Sequence, residues 1–142
     1  MAAVHKSAYK LLCGKKLGDG FNRNVYECKI MEDWVVKIER SDSDDFANVR
    51  ERAFWRQYEG DKTISKWLAP CGDISNDGRI MLQRKVQPLP KDYVVPRTLP
   101  EFLTDVKLSN FGLLDGKLVC VDYADVFIEP SVKRVKAYFL EF

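Results

Sequence analysis

Metal-ligating side chains are scarce in this sequence. It holds a single histidine, His5, and four cysteines at positions 13, 28, 71 and 120, none in CxxC spacing. A zinc site made of Cys and His ligands is therefore not expected. Long apolar runs are missing too. Nothing approaches the roughly 18 residues that a membrane-spanning helix needs, and the opening MAAVHKSAYK lacks the apolar stretch of a signal peptide. Nor is there an excess of one charge. The net charge is +2, so electrostatics alone gives no reason to expect a specific nucleic acid or an acidic membrane as partner. No internal repeat or low-complexity segment is visible. These absences point to a reducing cytoplasm, with His5 a tail residue and the cysteines small packing residues.

What is present fits an ordinary folded domain. Hydrophobic residues make up 46% and charged residues 31% of 142 positions, enough for one domain with a real core. LLCGKKLG, NVYECKI and WVVKIE read as three strands, rich in residues that suit a pleated, half-buried surface. Gly18-Asp19-Gly20 forms the first corner and Met31-Glu32-Asp33 the second. SDSDD at 41–45 is dense in N-cap residues, so a helix is expected over 46–59, stopped by Gly60. Its apolar residues fall in two stripes: Phe46, Val49 and Ala53, then Ala47, Phe54, Trp55 and Tyr58. A helix apolar on two sides is expected to pack on two sides.

Residues 67–87 read as a hairpin turning at Asn76-Asp77-Gly78. Prolines at 88, 90, 96 and 100 make 88–100 a linker, and 99–104 has room for one helical turn at most. A second hairpin turns at Asp115-Gly116. Apolar residues at 132, 135, 139 and 142, opposite Lys133, Arg134 and Lys136, predict a terminal amphipathic helix over 131–142 begun by Pro130. The fold class is α+β.

Three places carry residues with chemistry. Glu51 falls inside the second apolar stripe of the helix, where a carboxylate needs a cation. Lys37, equally out of place in WVVKIE, is the natural partner; the alternative is that both side chains reach solvent. Gly18 and Gly20 flank a turn whose backbone N–H groups are suited to phosphate, although a plain hairpin corner has the same look. The run DVKLSNFGLLDGKLVCVDYAD is richest. Asp105, Lys107 and Asn110 have D-x-K-x-x-N spacing, and Asp122 follows the hairpin. A carboxylate orients a hydroxyl or accepts its proton, a lysine neutralises phosphate, and Asn and Asp offer hard oxygens to Mg²⁺.

Taken in order, these stretches resemble the protein kinase family. LGDGFNRNVYE is similar to its glycine-rich loop, VVKIE to the strand with the nucleotide lysine, and the helix with Glu51 to the helix that pairs with it. IMLQRKV resembles the strand leading to the hinge, DVKLSN the catalytic loop, and VDYA stands where the family has Asp-Phe-Gly. The resemblance implies a protein-kinase-like N-lobe, a twisted antiparallel sheet with one packed helix, and a minimal remnant of the C-lobe. One miniature domain over 1–142 would comprise the N-lobe at about 11–87, the linker at 88–100, and the catalytic hairpin and terminal helix at 101–142. It implies Asp105 as catalytic base and Lys107 beside the transferred phosphate. Gly18, Gly20, Lys37, Glu51, Gln83 and Lys85 would hold ATP, with Asn110 and Asp122 on Mg²⁺.

Departures from the pattern are clear. Arg23 replaces the third glycine, Leu103-Thr104 stand before Asp105, and Tyr123-Ala124 replace Phe-Gly. The form is closest to small, divergent kinase-like proteins of bacteria and their phages, which implies cytoplasm, or host cytoplasm for a phage protein. The expected activity is transfer of the γ-phosphoryl of ATP to a protein Ser, Thr or Tyr. The alternative is a kinase-like binding protein that docks on a host or partner protein without phosphorylating it; a weaker one is a small-molecule kinase. A second copy of the chain or a specific partner is expected to supply docking surface, through the terminal helix or through Tyr93, Val94 and Val95.

Overall fold

The computed structural model describes residues 10–20, 22–126 and 129–140. His5, Phe21 and Phe142, which figured in the sequence reading, lie outside the described residues. The chain divides into two compact units, Met1–Arg52 with Cys71–Lys85, and Ala53–Pro70 with Val86–Phe142.

The first unit is built on a five-stranded sheet in the order β1-β2-β3-β5-β4. Its strands are β1 (Cys13–Asp19), β2 (Arg23–Cys28), β3 (Trp34–Glu39), β4 (Cys71–Ile74) and β5 (Ile80–Arg84). All neighbours run antiparallel. The α+β expectation and the three opening strands therefore hold, with two shifts. Gly18 lies inside β1, paired with Val25, so the corner falls after Asp19. Residues 11 and 12, expected to open the first strand, have helical backbone instead.

Strand alternation separates the sheet into two chemistries. On one face Cys28, Val36 and Ile38 form an apolar core with Tyr26, Trp34, Ile80 and Leu82 packed on it. Gly72 makes room for Trp34, since a Cβ there would stand 2.7 Å from the indole. The register places Arg23, Lys37, Glu39 and Gln83 on the opposite face.

Helix α1 (Ala47–Tyr58) follows SDSDD as expected. Phe46, just before it, has φ of 55°, a backbone state uncommon outside glycine. The helix is not apolar on two working sides. Phe46 and Val49 are 58% and 45% exposed, and Ala53 is exposed as well. Ala47, Glu51 and Phe54 are buried. The first stripe is thus a solvent-facing row, apart from Val49 lying against Gly78.

The second unit centres on the hairpin β7 (Phe111–Leu114) and β8 (Lys117–Cys120). Asp115 and Gly116, with φ of 53° and 78°, make the two-residue turn that the sequence signalled. Extended segments flank both sides of this ribbon. Ala69 donates to the Cys120 carbonyl at 2.9 Å, and Gln87 and Leu113 exchange backbone bonds at 2.9 and 2.8 Å. A short helix α2 (Lys62–Ser65), capped by Asp61, was not foreseen. Phe54 stacks near Phe102 and Tyr123, with ring centroids 6.2 and 5.9 Å away.

The predicted terminal helix does not form over the described residues 131–140. β9 (Arg134–Lys136) pairs antiparallel with β6 (Thr98–Pro100), so part of the proline linker is a strand as well. The true period is two. Val135, Ala137 and Phe139 are half-buried while Arg134, Lys136, Tyr138 and Leu140 are exposed. The apolar spacing 132, 135, 139 matches a helix by coincidence; partners on β6 and the hairpin select the strand. Pro100 sits at the end of its strand, where a missing N–H is tolerated. Phe139 packs edge-on against Phe111 at 5.3 Å.

None of the four cysteines is in a disulfide. Burial pushes the Cys13 thiol up, with Cys28 across the ladder adding to the effect, as suits a packing residue. Among the described residues no helix is long and apolar enough to cross a membrane.

Candidate functional site

In the first unit the polar face of the sheet meets the first half of α1. Asn48 and Glu51, three residues apart, share one side of the helix, and both are fully buried. Lys37 Nζ donates to Glu51 Oε1 at 2.6 Å. The pairing inferred from two misplaced charges is therefore present, and neither side chain reaches solvent: Lys37 is 4% exposed and Glu51 0%.

Arg23 is the residue that sequence reasoning missed. Its guanidinium grips the same carboxylate as a fork, Nη1 to Oε1 at 3.0 Å and Nη2 to Oε2 at 3.1 Å. Nη1 also donates to Asn48 Oδ1 at 3.0 Å. Asn48 in turn donates through Nδ2 to the carbonyls of Lys37 and Arg79. Glu39 Oε1 accepts the Asn48 backbone N–H at 2.6 Å and so satisfies one of the free donors of the helix start. A signal for Arg23 existed. It lies two residues before Val25, the cross-strand partner of Lys37, and so shares the lysine's face.

Burial alone would push the Glu51 carboxyl up. The Arg23 and Lys37 charges, with their hydrogen bonds, outweigh it and hold the group down at about 2. Glu51 is therefore a carboxylate at any ordinary pH.

The two loop glycines have different reasons. A Cβ at Gly20 would stand 2.9 Å from the Arg23 carbonyl oxygen, and the Gly20 N–H donates to that same oxygen at 2.7 Å. The tightness of the turn requires this glycine. A Cβ at Gly18 would meet nothing within 4 Å. Gln83 is 1% exposed on the Lys37 face, paired with Val35. Lys85 lies just past β5, with its ammonium 3.9 Å from Glu27.

In the second unit, a single 3-10 turn (Leu108–Asn110) connects the D-x-K-x-x-N run to β7. Asn110 is buried and donates through Nδ2 to the Asp105 backbone carbonyl at 2.9 Å. Its own carbonyl accepts from Val121 at 2.8 Å. That bond ties the start of the hairpin to its end, one residue before Asp122. The segment around Leu140 braces the loop from another side: Leu140 accepts from Leu108 and donates to the Val106 carbonyl, both at 2.8 Å. Asp105 and Lys107 remain partly open to solvent, 3.8 Å apart. Asp122 stands two residues beyond β8 rather than within a strand, and its carbonyl accepts from the Cys120 thiol. Asp105, Asp122 and Asp125 line one small depression with Thr104 and Tyr123.

The loop thus brings Asp105, Asn110 and Asp122 into one neighbourhood. Among the described residues, no group of three His, Cys, Asp or Glu side chains is arranged to hold a metal by itself. An amide and a carboxylate oxygen match what Mg²⁺ takes when phosphate oxygens and water complete its octahedron.

No protein-family model matches the chain, and no curated protein matches its sequence.

Proposed function

We propose that this protein is a miniature kinase-like phosphotransferase, using ATP and Mg²⁺ to phosphorylate a Ser, Thr or Tyr hydroxyl on another protein. The observation that carries the reading is the Lys37–Glu51 pair. A lysine on a central strand of an antiparallel sheet is oriented by a buried carboxylate on α1, at 2.6 Å. The N-lobe resemblance rests on this arrangement. Further support comes from the second unit, where the Asn110 side chain and the backbone bond from Val121 hold Asp105, Asn110 and Asp122 in one loop cluster.

The roles follow from the chemistry of each group. Lys37 offers a compact cation to phosphate oxygens. Asp105, partly exposed, would accept a hydroxyl proton, and Lys107 beside it would offset phosphate charge. Asn110 and Asp122 would supply the metal's protein oxygens. Bound Mg²⁺ neutralises charge on the phosphates. The four thiols, none in a disulfide, agree with a reducing cytoplasm.

One observation favours a second reading, a kinase-like binding protein without transfer activity. Lys37 is 4% exposed and held on a carboxylate that Arg23 also grips. Labelled ATP with Mg²⁺ and the protein separates the two. The kinase reading expects autophosphorylation, or ATP hydrolysis above background, that Asp105→Asn suppresses. It also expects ATP–Mg²⁺ to raise the melting temperature, because a ligand bound only to the folded state stabilises it. Lys37→Ala should abolish that rise, and Asp122→Asn should weaken Mg²⁺-dependent binding more than Asp105→Asn. No shift at millimolar ATP–Mg²⁺ would sink the nucleotide reading. A shift without turnover would leave the binding protein.

A further inference from the structure

Arg23 is a member of the buried cluster to which the kinase resemblance assigns nothing. Its position poses a specific question. Lys37 and Arg23 meet at one oxygen, Oε1 of Glu51, at 2.6 and 3.0 Å, and Arg23 holds Oε2 as well. A lysine that works on phosphate has to change partner when the phosphate arrives. In a simple buried Lys–Glu pair that exchange strands the carboxylate, and an uncompensated charge at 0% exposure is strongly unfavourable.

Arg23 removes that obstacle. Its planar fork spans both carboxylate oxygens, the geometry in which a guanidinium holds a carboxylate best. It is kept there by Asn48, which accepts from Nη1 and is pinned through Nδ2 to two backbone carbonyls. Arg23 is also tied to the glycine turn, because its carbonyl accepts from Gly20 at 2.7 Å. We propose that Arg23 is a positioning residue, a standing counter-ion for Glu51 that lets Lys37 trade the carboxylate for a phosphate oxygen. This deepens the nucleotide reading of Lys37 above and rests on it. The ordinary alternative is a structural bolt between β2 and α1 with no bearing on Lys37.

The two roles separate in a small set of full-length variants: Arg23→Met, Glu51→Gln and the double variant. One measurement is the affinity for ATP–Mg²⁺ by calorimetry. The other needs no nucleotide: the rate at which the Lys37 amine is acylated by an amine-reactive ester, read by peptide mass spectrometry. With Arg23 gone, Lys37 becomes the main cation on Glu51. Arg23→Met should lower ATP affinity roughly tenfold or more and slow Lys37 acylation by a similar factor. Adding Glu51→Gln removes the charge that would be stranded, so the double variant should recover most of the lost acylation rate; ATP affinity is compared between wild type and Arg23→Met alone, because Glu51 itself orients Lys37.

A bolt predicts the reverse: its loss loosens the cluster, so Lys37 should acylate at least as fast in Arg23→Met as in wild type. That result overturns the proposal. Should Arg23→Met fail to fold, Arg23→Lys carries the same comparison, because it keeps a cation but not the fork. If wild type binds no ATP while the acylation pattern holds, the nucleotide reading fails and Arg23's control of Lys37 stands. If wild type and Arg23→Met bind ATP equally and Lys37 acylates at one rate in both, the proposal fails and the nucleotide reading stands.

Discussion

The two polar clusters of this protein are built in opposite ways. In the sheet unit the charged groups themselves are buried, and side chains hold side chains: Arg23, Lys37, Asn48 and Glu51 bond to one another. In the hairpin unit the backbone does the holding. The Asn110 side chain, the Val121 amide and the Leu140 backbone fix the loop, while Asp105 and Lys107 stay partly in solvent. The first cluster is therefore part of what folds the protein. The second is a set of groups displayed on a fold made by other means. Charges of the first kind cannot be removed singly without structural cost; those of the second kind stand partly in solvent.

The sharpest way to break this comparison is to delete one carboxylate from each cluster. Glu51→Ala should cost about 3–5 kcal/mol, because Arg23 and Lys37 are left buried around a missing partner. Asp105→Ala should stay within about 0.5 kcal/mol, since Asn110 bonds the Asp105 backbone and not its carboxylate. Urea unfolding measures both, and equal costs would undo the distinction.

Acid is the next lever. The Glu51 carboxyl is held at about 2 when folded, against an ordinary 4.5. The unfolded chain therefore binds its proton more readily. The stabilisation is complete above about 4.5 and is lost as pH falls through about 2. Wild type should lose stability across that window, and Glu51→Gln should show a flatter profile there. Identical profiles would mean that Glu51 does not govern the acid limb.

Phe139 tests the terminal strand. It packs on Phe111 and is partly buried, so Phe139→Ala should cost about 2 kcal/mol, below the range for a fully buried Phe. Tyr138, 72% exposed beside it, should tolerate alanine within about 0.5 kcal/mol. Similar losses at both positions would contradict the two-residue period.

Two smaller effects sharpen the picture. Tyr123 donates to the Ala69 carbonyl at 2.7 Å; Tyr123→Phe should cost about 1 kcal/mol in thermal unfolding, and no loss would show that the bond contributes nothing net. Smallest is the contrast between the loop glycines. Gly20→Ala should destabilise by about 1 kcal/mol because the turn leaves no room, whereas Gly18→Ala should be neutral or stabilise by about 0.5 kcal/mol. A Gly18→Ala variant that folds well but loses ATP affinity would mark that glycine as a place of ligand approach.

Much of the sheet unit was legible in the sequence. The alternating β-branched runs, the Asn76-Asp77-Gly78 turn and the SDSDD start are local signals, and local chemistry decides them. The Lys37–Glu51 pair was legible because each charge was out of place in its own element. Arg23 was harder to see. An arginine beside a glycine turn looks like surface until the register sets it opposite Glu39 and near α1. The terminal segment misled for a related reason: in a short run, apolar residues at 132, 135 and 139 fit a helix, and the alternation at 135, 137 and 139 fits a strand equally well.

By itself, then, the sequence determined the strands of the five-stranded sheet, the hairpin turns, the main helix and two charges, Lys37 and Glu51, suited to one another. Those follow from backbone preferences and from the cost of burying a lone charge. Tertiary structure decided the rest. It chose strand over helix at the C-terminal end, because β6 offered an edge and Phe111 a surface. It gave Glu51 a second cation and left the helix's first apolar stripe in water. In each case the deciding partner lies far away in the chain, and no local pattern encodes its distance.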